Sequence, residues 1–159
     1  MDEPRSTDTI EPSAFLEPLA VYFEAFAEHD SVRRGELLVR CLTAGAEIWG
    51  PKRVFAGYTA ISEKIAGFHK NWPGCRLALA SGLNTFGNLA RFGNAIVRTD
   101  GSAVTTGHSI IELAQDGRIN RVLPFWEALP PIPASWPRHL AHPVQREDSN
   151  AASQETPTK

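Results

Sequence analysis

Residues 91–126 read RFGNAIVRTDGSAVTTGHSIIELAQDGRINRVLPFW, and they decide the fold. Asp100-Gly101 and Asp116-Gly117 each separate segments of alternating hydrophobicity, one of the strongest short-range signals for a β-hairpin. Three antiparallel strands therefore run through this stretch. In the middle one, alternation sends Ser109, Ile111 and Leu113 to one face and His108, Ile110 and Glu112 to the other. One of these faces must be the buried one, and its polar residues decide what chemistry is available there.

Upstream, CRLALASGLNTF (75–86) reads as one further strand closed by Gly87-Asn88, so four long strands follow Gly74. Before Gly74 the period is helical. Pro18 suits the first helical position, so a helix is expected from near Glu17, with Leu19, Tyr22, Phe23 and Phe26 on one face. The break at HDS (29–31) lets Asp30 or Ser31 cap a second helix running to about Leu42. AEIWGPKRVFAG (46–57) gives two short extended pieces around Gly50-Pro51. Helical spacing returns over 58–70, with Ile61, Ile65, Phe68 and then Trp72 on one stripe, until Pro73-Gly74 ends it. The class is α+β, three helices packed on one face of a curved, mostly antiparallel sheet.

At 159 residues the chain has the size of one domain, and 42% apolar residues suit a globular core. Sixteen basic and eighteen acidic residues give a formal net charge of −2 with no basic stripe, so neither nucleic acid nor an anionic membrane is an expected partner. No apolar run reaches the roughly 18 residues of a membrane span. The start, MDEPRSTDTIEP, lacks the cationic and apolar parts of a signal peptide, and a cytoplasmic location is expected. Cys41 and Cys75 have no CxxC partner and read as buried thiols of a reducing compartment. The five histidines fall on separate elements or the tail, so no metal site is expected. Gly-rich phosphate loops are absent, so no cofactor is implied. Residues 1–12 and 138–159 read as polar tails around a domain at 13–128. Between them, 129–137 form a strap with prolines at 130, 131, 133 and 137.

Two segments carry a family resemblance. IAGFHKNWPGCRL (65–77) resembles the third helix and strand entry of SnoaL-like proteins. The 91–126 stretch, with its DGRI turn between hydrophobic flanks, resembles the end of the same group within the NTF2-like superfamily. The resemblance covers roughly residues 13–128. It implies a cone-shaped α+β barrel curled around an apolar pocket, often in a homodimer. Members include ketosteroid isomerases, polyketide cyclases, scytalone dehydratases, limonene-epoxide hydrolases and non-catalytic binding proteins.

Residue by residue, the resemblance to ketosteroid isomerases places Tyr22, in YFEAFAEHD (22–30), on the oxyanion-stabilising tyrosine. Ser109 falls on the second oxyanion donor, a carboxylic acid in those enzymes. Gly50 occupies the position of their catalytic aspartate and cannot take a proton. Asn94 and Pro124 fall near the two aspartates of the epoxide-hydrolase relay, which is therefore lost as well. Two groups are candidates for the missing proton carrier. Glu47 shares the parity of Trp49, and the strand phase that turns Trp49 inward makes Glu47 a base. His108 is an imidazole of suitable pKa, although its parity puts it on the outer face. Phe26, Trp49, Phe92, Asn94 and Trp126 complete the expected pocket, with a small apolar cyclic compound as its ligand. The functional alternatives are a cofactor-independent isomerase, cyclase or dehydratase, and a non-catalytic ligand-binding or subunit-assembly module.

Overall fold

A proline opens the first helix, but not the expected one. In the computed structural model, which describes residues 9–142, helix α1 runs Pro12–Ala27. Pro12 takes the N-terminal position where its missing N–H costs nothing, and Pro18 lies inside the helix. The expected start near Glu17 is corrected because Phe15, fully buried one turn before Leu19, extends the apolar face. Helix α2 (Ser31–Cys41) is capped by Asp30, whose Oδ1 accepts from the backbone N–H groups of Val32 and Arg33 at 3.0 and 2.9 Å.

Arg34, on α2, is buried, which its position in a charged-looking helix did not foretell. Its Nε donates to Ser62 Oγ at 2.9 Å, and one terminal nitrogen donates to the carbonyls of Glu28 and His29 at 2.9 and 3.3 Å. Those carbonyls lie just past α1, where the helix dipole favours a cation. Arg34 thus ties the end of α1 to α2 and to α3 (Gly57–Asn71).

The strands are β1 (Leu42–Trp49), β2 (Val54–Ala56), β3 (Arg76–Leu79), β4 (Asn84–Phe86), β5 (Leu89–Val97), β6 (Ala103–Leu113) and β7 (Ile119–Phe125). They form one sheet in the order β2-β1-β7-β6-β5-β3, with β4 also on β5. Only β1 and β7 run parallel; the other pairs are antiparallel. Register shifts in the β1–β7, β5–β6 and β6–β7 ladders supply the irregularities that bend a sheet. Three helices on a curved, mostly antiparallel sheet make the expected α+β cone, open rather than closed, with β2 at one edge and β3 and β4 at the other.

The strand expected over 75–86 is two strands. Ser81 interrupts it: its Oγ accepts from Gly93 N–H at 2.6 Å, and Ala80 N–H donates to Gly93 C=O at 2.8 Å. The chain bends at Ser81 and resumes in the same direction along the same partner, β5. At the two Asp-Gly hairpins, Gly101 and Gly117 adopt φ of 84° and 83°, the left-handed conformation that glycine permits. Phe15, Leu38, Ile61, Ile65, Phe92, Ile111 and Ile119 form the core between helices and sheet.

A second compact unit begins at Leu129 and contains a short 3-10 turn, Arg138–Leu140. Most of the sequence expected as tails, residues 1–8 and 143–159, lies outside the described residues. No helix among the described residues is long and apolar enough to cross a membrane.

Candidate functional site

A cavity of about 620 Å³ opens between the helices and the concave face of the sheet. Its walls are aromatic. Tyr22 and Phe26 meet edge to face with centroids 5.0 Å apart, Phe26 meets Phe68 of α3 at 5.6 Å, and Phe23 reaches across to Phe92 of β5 at 6.4 Å. These contacts pin α1 against both α3 and the sheet.

The sheet side of the cavity follows from register. Ser109 lies opposite Phe92 on one neighbour and Pro124 on the other, and all three line the cavity. Two residues along, Asn94 lies opposite Gly107. Asn94 is only 3% exposed, and its Oδ1 is buried with no hydrogen-bond partner. An unpaired buried carbonyl costs on the order of 1–3 kcal/mol unless something supplies a donor. Thr105, on the same parity as Ser109, adds another hydroxyl. That alternation was the signal for it.

Tyr22 is buried, which pushes its phenol well above the ordinary 10.0, with the nearby Cys41 thiol adding to the shift. It therefore stays a neutral O–H donor over the whole useful pH range. Burial also raises Cys41, from 9.0 to about 12. Both groups ionise more readily in the unfolded chain. Their contribution to stability is complete below about pH 8.5 and is lost as pH climbs toward the folded-state value. Denaturation measured from pH 8 to 11 is expected to show falling stability, and Cys41→Ala should flatten the fall. An unchanged slope in that variant would show that the thiol plays no part.

Glu47 and Trp49 face away from the cavity, which corrects their assignment as base and pocket wall. Parallel pairing sets Ile48 opposite Val122, both buried and turned inward, and so sets Glu47 opposite Arg121 on the outer face. There Trp49 Nε1 donates to Glu47 Oε2 at 2.9 Å, and Arg121 Nε lies 3.8 Å from the same carboxylate. His108 is also corrected as a proton carrier. It sits between Gly93 and Phe125 on the outer face, as its parity required, and is exposed.

No family model and no curated protein matches this chain. Solved structures do. A SnoaL-like family protein from Agrobacterium tumefaciens, described as a candidate isomerase, is 27% identical over 73% of this chain and 99% of its own, with a TM-score of 0.66. A candidate SnoaL-like polyketide cyclase from a Jannaschia species is 14% identical over 78% and 90%, with a TM-score of 0.57. An NTF2-like protein of unknown function from an Exiguobacterium species is 18% identical over 70% and 99%, at 0.54. This chain has the fold of the SnoaL-like proteins of the NTF2-like superfamily.

Within this fold, the cavity brings together six of the residues expected there: Tyr22, Phe26, Phe92, Asn94, Ser109 and Trp126. It adds a charged margin that sequence reading missed. Arg53 and Lys64 both pack on the ring of Phe55, and Glu63 and Glu127 line the cavity as well. Arg53 follows the Gly50-Pro51 turn and Lys64 projects from α3, so only the tertiary fold reveals that they meet. Among the described residues, no three His, Cys, Asp or Glu side chains gather in a group able to hold a metal ion. The arrangement can enclose an apolar ring and offer hydroxyl and amide groups to an oxygen upon it.

Proposed function

We propose that the cavity binds a small, apolar, cyclic compound bearing an oxygen function. The observation that carries this reading is the buried, unpartnered Asn94 oxygen in a cavity shared with the Tyr22 and Ser109 hydroxyls. The ring lies among Phe26, Phe92 and Trp126, and its oxygen meets Tyr22 and Ser109. A hydroxyl on the ligand or a bridging water donates to Asn94.

A thermal-shift screen against cyclic enones, phenols, polycyclic ketones and terpenoid epoxides tests it. A ligand at 100 times its dissociation constant stabilises the fold by about 2.7 kcal/mol. Tyr22→Phe is expected to weaken the best hit by about tenfold, the effect of one lost hydrogen bond. Glu47→Gln and His108→Gln, on the outer face, leave affinity unchanged. Silence across the panel from a well-folded protein would replace this reading with that of an assembly module.

A second reading, a cofactor-independent isomerase, cyclase or dehydratase, is favoured by the likeness to the Agrobacterium protein and by a carboxylate at the cavity, Glu127. Tyr22 and Ser109 then stabilise developing negative charge on the substrate oxygen, and Glu127 moves the proton. In that case Glu127→Gln abolishes turnover of a bound substrate but spares its binding. The outer sheet face supports a homodimer: Trp49 and Phe125 are 44% and 59% exposed beside Ile110 and Leu123. The free thiols Cys41 and Cys75, the latter half-buried, fit a reducing cytoplasm.

A further inference from the structure

We propose that the ligand of this cavity is an organic anion, an apolar ring system whose acid group sits at the cavity margin between Arg53 and Lys64. The inference rests on the small-molecule reading of the cavity and narrows it to a substrate class.

Three observations carry it. First, both cations are gathered on one aromatic ring: the Arg53 guanidinium carbon is 4.3 Å, and Lys64 Nζ 4.6 Å, from the Phe55 ring centre. All three side chains line the cavity. Second, among the described residues neither cation has a carboxylate within 4.0 Å, whereas Arg118 and Arg121 each pair with an acid. Two like charges on one ring with no counter-ion repel, and a bound anion relieves that repulsion. Third, Lys64 is partly desolvated, and burial followed by the nearness of Arg53 lowers its ammonium pKa. No carboxylate offsets that shift.

Glu63 and Glu127 border the same cavity and oppose an anion, but neither carboxylate lies within 4.0 Å of either cation. Glu63 is exposed and also borders the cleft between α2 and α3 beside Arg34 and Ser62. Glu127 is exposed just beyond β7. An anion at the pair has a guanidinium fork for two of its oxygens and an ammonium for the same charge. The cavity then has two polar ends, anionic recognition at the margin and the Tyr22, Ser109 and Asn94 group on an inner wall, separated by aromatic surface. Compounds with an acid and an oxygen function on one ring frame match both.

The probes are 6-hydroxy-2-naphthoate, its neutral methyl ester and the corresponding sulfonate, titrated calorimetrically against the full chain. The acid is expected to bind about tenfold more tightly than the ester at low ionic strength, with the advantage shrinking as salt screens the pair. In the Arg53→Gln, Lys64→Gln double variant the acid should fall to the affinity of the ester, while the ester binds as it does to wild type. The unchanged ester shows that the variant is folded and its apolar cavity intact. Equal affinity of acid and ester for wild type overturns the anion assignment and leaves the small-molecule reading standing. So does an acid preference that survives the double variant. Failure of both ligands, with the protein folded, overturns the small-molecule reading and this inference with it. A sulfonate equal to the carboxylate assigns the recognition to charge, and a weaker one to the planar fork of Arg53; either result upholds the anion.

Discussion

Gly107→Val is expected to lower stability by about 3 kcal/mol and to abolish ligand binding, because position 107 has no room for a side chain. A Cβ there would press into the carbonyl oxygen of Phe125 and stand 3.0 Å from Trp126 Cα. Gly107 has the inward parity of Ser109 and lies opposite Asn94. At the end of β7 the backbone therefore passes directly over β6 at a bare Cα, and that close approach sets Trp126 over the cavity. A side chain at 107 must lift residues 125 and 126, breaking the His108–Phe125 pairing and withdrawing the indole. Urea denaturation followed by tryptophan fluorescence checks the loss. Gly107→Ala should show a smaller loss in the same direction. A valine variant with wild-type midpoint and affinity would mean that the crossing is not needed.

Arg34→Met comes next, with an expected loss of roughly 2–4 kcal/mol. Methionine keeps much of the aliphatic bulk and removes every donor. The carbonyls of Glu28 and His29 then lose their buried cationic partner at the end of α1, and Ser62 loses its tie to α2. Arg34→Lys should recover only part of the loss, since one ammonium cannot reproduce the fork that spans carbonyls on one side and a hydroxyl on the other. The chemical denaturation midpoint is the measurement. A methionine variant within about 0.5 kcal/mol of wild type would sink the claim, that being the scatter of ordinary surface changes.

These two sites mark where sequence reading reached its limit. The meander was legible because its information is local. Asp-Gly turns and a strict two-residue period fix β6 and β7 and put Ser109 inside with Ile111 and Leu113. Tyr22 and Phe26 were legible from helical spacing. The phase of β1 was not, because the pairing that decides it comes from β7, far along the chain, and that phase moved Glu47 and Trp49 to the outer face. The break between β3 and β4 is set by Ser81 bonding to Gly93, again a contact between distant residues. Arg34 looked like one more charge on an amphipathic helix. Arg53 and Lys64 looked like ordinary surface cations. Each takes its meaning from a neighbour that only the fold supplies.

The parallel pairing of β1 with β7 also bears on how this protein can be made. Leu42 aligns with Ile119, and Thr43 Oγ1 donates to Asn120 Oδ1 across 77 positions. During synthesis β1 leaves the ribosome with only the three-residue β2 beside it, while its other edge and the apolar faces of the three helices lack their partner. High contact order of this kind slows folding and leaves strand edges open to wrong partners. The sheet gains its continuity only when Ile119–Phe125 inserts between β1 and β6, so a chain stalled before that strand is a substrate for chaperones rather than a partly working protein.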